Sequence, residues 1–184
     1  MDYLKKINKL FYFSSFIIFG LSILSHFAYK WSGFNNFLGA FVPTNESIFQ
    51  HVKMYFYPTV LYYFITFLLF SSKYEIDAKR YFIAPLITMI LTTFIVVGNY
   101  YVFRNGFNID SMIIDISLLF IGLLLSSFLC KHVYNMKKVM RFSGYASLLL
   151  IFALAVTMTY FQINPRHVDF FYDNENKTYH EVYK

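Results

Sequence analysis

Glu46, Ser47, His51 and Lys53 fall within one short stretch of this chain, with Asn45 just before them. A carboxylate, a hydroxyl, an imidazole and an ammonium so close together can move a proton, orient a water or hold a phosphate. His51 is the candidate general base or metal ligand. Glu46 or Asp115 would orient it or share the acid–base work, and Asn45, Ser47 and Lys53 would hold an oxyanion or a phosphate.

Further groups extend the set. Ser22 and His26, Ser47 and His51, and Ser111 and Asp115 each lie four apart, which places each pair on one helix face. Asn99 and Asp110 are candidate substrate contacts. Glu46 and Asp110 are expected in first helical turns, where the helix dipole favours a carboxylate. Asp115 is expected deeper and needs a partner, His51 first and Lys53 as the substitute. The chain ends on a polar, aromatic stretch, Pro165-Arg-His-Val-Asp-Phe-Phe-Tyr-Asp173. If extended, it sets His167, Asp169, Phe171 and Asp173 on one side, and it could fold back as a lid that adds His167 and Asp173 to the site. A divalent metal is a candidate cofactor, with His26, His51 and His167 as nitrogen ligands beside the carboxylates. No HxxxH or HExxH spacing exists, so a metal would depend on convergence in space. The plainer alternatives stay open: interfacial helix-start acids for Glu46 and Asp110, a snorkelling Lys53, and a solvated His167 and Asp169.

The elements that must position these residues are membrane-like. Of 184 residues 58% are hydrophobic and 14% charged, with 24 Phe and 17 Tyr. An average soluble domain has roughly 25% charged residues, so lipid is the better solvent for this surface. Five apolar stretches, about 10–29, 46–70, 81–103, 109–130 and 142–164, are long enough to cross a bilayer, with a polar tail over 165–184. The expected fold is all-α, one domain, a bundle of five transmembrane helices. The first stretch is longer than a signal-peptide core and lacks a small-residue cleavage site, so it is expected to stay as a span. Thr44 or Asn45 is the expected N-cap of the second helix, and Pro58 should kink it. Cys130, the single cysteine, is expected as a small core residue.

Lysine and arginine number 16 against 10 acidic residues, but they cluster between apolar runs, which excludes nucleic acid as a partner. Lys5, Lys6, Lys9, Lys73, Lys79, Arg80, Lys131, Lys137, Lys138 and Arg141 fall on one side. Lys30, Lys53, Arg104, Arg166, Lys177 and Lys184 fall on the other. That bias predicts a cytoplasmic N-terminus and an outer C-terminus in a cell membrane. His26, the Glu46–Lys53 stretch, Asp110, Asp115 and the tail then all lie toward the outer face. Charge inside hydrocarbon is costly and tends to mark function.

Pro43-Thr-Asn45-Glu46-Ser47-Ile-Phe-Gln-His51-Val-Lys53, followed by Phe56-Tyr-Pro58, resembles a family of small bacterial multi-pass membrane proteins of unknown function. In that family a Pro-x-Asn-Glu-Ser-x-x-x-His-x-Lys motif opens the second helix. Pro165, His167, Phe171, Asp173 and Tyr179 match its proline-led tail, and His180 stands where the family has glycine. The resemblance implies a bacterial membrane protein and no particular activity. From the residues, the expected function is an enzyme, a hydrolase or transferase, acting on a membrane lipid or lipid-linked substrate at the outer leaflet. The alternative is a non-enzymatic binding, transport or accessory protein. The charge-poor inner halves of the helices argue against a path through the bundle.

Overall fold

A computed structural model describes residues 2–136 and 143–180. The basic link at 137–142, with Lys137, Lys138 and Arg141, and the chain end at 181–184 lie outside the described residues. The fold is all-helical, and five of its helices are long and apolar enough to cross a membrane. These are α1 (Asp2–Trp31), α3 (Ile48–Tyr74), α5 (Ile83–Tyr101), α6 (Met112–Tyr134) and α7 (Ser143–Ile163). Two short helices, α2 (Asn36–Gly39) and α4 (Ala78–Tyr81), sit in the connections. A π-helical turn, Val102–Gly106, extends α5, and a 3₁₀ turn, Asp169–Phe171, lies in the tail. The helices run past the apolar windows at several ends, because the bilayer limits the length of apolar sequence and not of helix. α1 thus begins at Asp2 and carries Lys5, Lys6 and Lys9.

α1 packs between α3 and α6, α5 joins α3 to α6, and α7 leans on α5 and α4. α1 buries a stripe of Ile7, Phe11, Ser14, Ile18 and Ser22, at steps of three and four that keep one face inward. Outward faces carry Phe13, Leu68, Phe94, Leu149 and Phe152 uncovered, the expected surface of a protein solvated by lipid. Lipid offers no hydrophobic drive between helices, so close approach and hydroxyl pairs hold the bundle. Thr92 meets Ser126 at 3.2 Å, Thr66 meets Tyr81 at 2.6 Å, and Tyr63 reaches Thr88 at 3.3 Å. Cys130 is buried in this layer, and its thiol donates to the Ala84 carbonyl. Gly122 admits the Thr92 backbone; a Cβ there would stand 3.3 Å from Thr92 Cα.

α3 continues as helix through Pro58. Proline leaves the carbonyl four residues back, Met54, without its helical donor. The Ser25 hydroxyl of α1 donates to that carbonyl at 3.0 Å, which repairs the gap and fastens α1 to α3. α3 is capped by Ser47, whose hydroxyl accepts from Gln50 N–H at 3.4 Å, and not by Thr44 or Asn45. Asn45 instead accepts from Ser47 N–H at 3.0 Å, which shapes the turn into the cap. Glu46 therefore precedes the helix and is not in its first turn. α6 begins at Met112, so Asp110 lies before the helix and Asp115 lies in its first turn, each about a turn nearer the helix start than expected.

Candidate functional site

α1 runs toward the end of the bundle from which α3 sets out, and this brings His26 opposite the α3 start. Glu46 lies between the two imidazoles. Its Oε1 is 3.6 Å from His26 Nε2 and its Oε2 is 3.5 Å from His51 Nε2. The two rings face each other, 6.0 Å apart and inclined by 26°. Side chains of the three are 28%, 34% and 36% exposed for His26, Glu46 and His51, so the site is sheltered yet reachable from one side.

The turn before α3 fixes the chemistry of His51. Its Nδ1 lies 2.9 Å from the Ser47 carbonyl oxygen. A carbonyl only accepts, so Nδ1 carries a proton, and Nε2 is the nitrogen turned toward Glu46. Ser47 acts through its backbone as well as its cap. The Nδ1 of His26 is buried without a hydrogen-bond partner.

Glu46 is itself held by the tail. Asp173 is fully buried, and its Oδ2 accepts from Glu46 N–H at 3.1 Å and from Asn176 Nδ2 at 2.8 Å. Its Oδ1 accepts from the N–H groups of Glu175 and Asn176. Burial alone would raise the Asp173 carboxyl, but the donors on Asn176, Glu46 and Glu175 hold it below the ordinary carboxylate value. An isolated bridge between Asp173 and Thr178 closes the turn, and Asn45 Nδ2 donates to the His180 carbonyl at 2.9 Å. Phe171 docks on Phe49 and Phe161, at 4.9 and 5.2 Å between ring centres.

The tail thus folds back over the start of α3, although it is not extended. The 3₁₀ turn at Asp169–Phe171 breaks the alternation expected for His167, Asp169, Phe171 and Asp173. Phe171 and Asp173 turn inward, while His167 and Asp169 are exposed. His167 stacks on Tyr179 at 4.7 Å and is not a member of the His26–Glu46–His51 group.

The remaining candidates occupy other places. Lys53 is fully buried and donates to the Gly39 carbonyl at 2.7 Å and to Gln162 Oε1 at 2.5 Å. It lies two residues from His51, hence on the opposite face of α3, and so cannot substitute for it beside Asp115. Asn99 donates to its own helix, at Ile95 O. Asp110 pairs with Arg104 at 2.5 Å near the solvent. Asp115 is half-buried, in the first turn of α6.

Over residues 1–180 the chain matches the model of a family of unknown function, DUF6512. The chain belongs to the DUF6512 family. Comparison with curated proteins and with solved structures gives no match to either. For this DUF6512 chain, then, chemistry must be argued from the site. Two contributors escape a search restricted to ionisable groups. Gln50 and Gln162 bond to each other at 2.8 Å, and Gln162 also donates to Thr44 at 3.1 Å, which ties the end of α7 to the start of α3. An uncharged amide inside an apolar run was the available signal. The other is the role of Asp173 toward Glu46, which joins residues 127 apart and leaves no local trace.

Proposed function

We propose that this protein is a cell-membrane enzyme, a hydrolase or transferase that acts on a lipid or lipid-linked substrate from the outer leaflet. The observation that carries the reading is the Glu46 carboxylate set between His26 and His51 at one end of the bundle. A carboxylate flanked by two imidazoles, one with its tautomer fixed by a backbone carbonyl, can take and return a proton during acyl or phosphoryl chemistry. Asp115, half-buried on the first turn of α6, is the second carboxylate available for acid–base work. The partial exposure of all three central groups suits a substrate whose headgroup arrives along the membrane surface. The charge bias along the sequence supports an outer position for this end.

The test is lipid turnover by the purified chain in vesicles made from a bacterial lipid extract, read by mass spectrometry. A lipid species converted by the native protein, and not by well-folded Glu46→Gln or His51→Ala protein, is the expected result. Unchanged lipid profiles with active-fold protein would remove the enzymatic reading.

A further inference from the structure

We infer that His26, Glu46 and His51 form a binding site for one divalent transition-metal ion of the zinc class. The inference deepens the proposed function and shares its residues, but it rests on a separate argument about distances.

One ligating atom from each of the three residues lies within 4.8 Å of the others. A charge-assisted hydrogen bond between imidazole and carboxylate closes to about 2.7–2.9 Å. The separations here are 3.5 and 3.6 Å, too long for that bond. They match another length. Zinc bonds to nitrogen and oxygen are about 2.0–2.2 Å, so the edge of a tetrahedron around the ion is about 3.3–3.6 Å. The distances run to the two different oxygens of Glu46, so they suit a carboxylate that offers its oxygens to a cation shared with the two rings.

Ring orientation agrees. The Ser47 carbonyl engages His51 Nδ1, which turns Nε2 toward Glu46 Oε2. The Ser47 contact also gives His51 the outer partner that metal-bound histidines usually have, whereas His26 Nδ1 is buried without one. The tail fixes the backbone of Glu46, whose N–H donates to Asp173. Two nitrogens and one carboxylate select a borderline first-row cation over calcium or magnesium, which prefer oxygen alone. Three protein ligands leave a further position for water or substrate, and zinc lowers the pKa of such a water to about 7.

The experiment uses the full chain in detergent, stripped with chelator, reloaded with zinc, dialysed and measured by elemental analysis. The native protein should retain about one zinc per chain. Glu46→Gln and His26→Asn keep the local shape and should weaken retention well beyond tenfold, since loss of only an outer partner costs about 10–100-fold. His132→Ala, at the opposite end of the bundle, should bind like the native chain. Retention of helical circular dichroism and a single size-exclusion peak separate lost ligands from lost fold. A native protein that keeps no zinc, or variants that bind as the native chain does, would overturn the site. Stoichiometric metal without lipid turnover leaves the metal site and removes the lipid enzyme. Lipid turnover by a protein that retains no zinc on reloading does the reverse.

Discussion

On an α-helix a two-residue step turns a side chain by about 200°, and that separates Lys53 from His51. His51 faces Glu46, while Lys53 points into the bundle, where its ammonium bridges Gly39 and Gln162. Replacing it by methionine keeps the aliphatic stem but leaves those acceptors without the charged donor. Lys53→Met should lose roughly 2–3 kcal/mol of stability, the scale for a buried hydrogen bond to a charged group. A denaturant titration of the purified protein checks this, and zinc retention should survive. Asp173 gives the matching prediction in the tail. Asp173→Ala removes the acceptor for four donors, on Glu46, Glu175 and Asn176. Hydrogen exchange in residues 165–180 should accelerate about 30- to 100-fold, with the transmembrane helices little changed. At this scale the sequence was informative about residue type and poor on partners. The spacing of Ser47 and His51 led to a shared face, but not to a backbone carbonyl as the acceptor. The set His26, Glu46 and His51 needed three-dimensional placement.

Among the elements, the five spans were legible because an apolar run of bilayer length has few other folded uses. Their ends were less so, since lysines tolerated by headgroups let α1 extend to Asp2 and three residues of capping type, Thr44, Asn45 and Ser47, lie close together. The tail was misjudged because backbone alternation predicts faces only in extended chain, and Asp169–Phe171 is a 3₁₀ turn. Contact between α7 and α4 offers a test of how the elements approach. A Cβ on Gly144 would stand 2.6 Å from the Lys79 carbonyl oxygen, which is backbone and cannot swing aside. Gly144→Ala should therefore destabilise the protein by about 1–3 kcal/mol, the scale of overpacking. Gly20, within α1, has nothing within 4 Å of its added Cβ, and Gly20→Ala should stabilise by roughly 0.5–1 kcal/mol through helix propensity. Thermal melting of both variants in one detergent distinguishes the two environments.

For the whole molecule, most of the described histidines and carboxylates gather at the bundle end shared by the α1 C-terminus, the α3 N-terminus and the tail. The opposite end carries most of the described lysines and arginines. The two facts support each other physically: positive residues resist transfer across the membrane and set orientation. A site at the other end would then face outward, where a soluble metal or a headgroup can reach it. Orientation is the premise for the choice of an outer-leaflet substrate, and it has a clean test. Asn36→Cys, on α2, and Asn174→Cys, in the tail, place thiols at the site end, both at exposed positions. The native Cys130 is buried and hydrogen-bonded, so it should contribute little background to a membrane-impermeant thiol reagent. Both variants should label in intact cells. Labelling that appears only after lysis would turn the bundle over and move the expected substrate to the cytoplasmic leaflet, while leaving the metal ligands where they are.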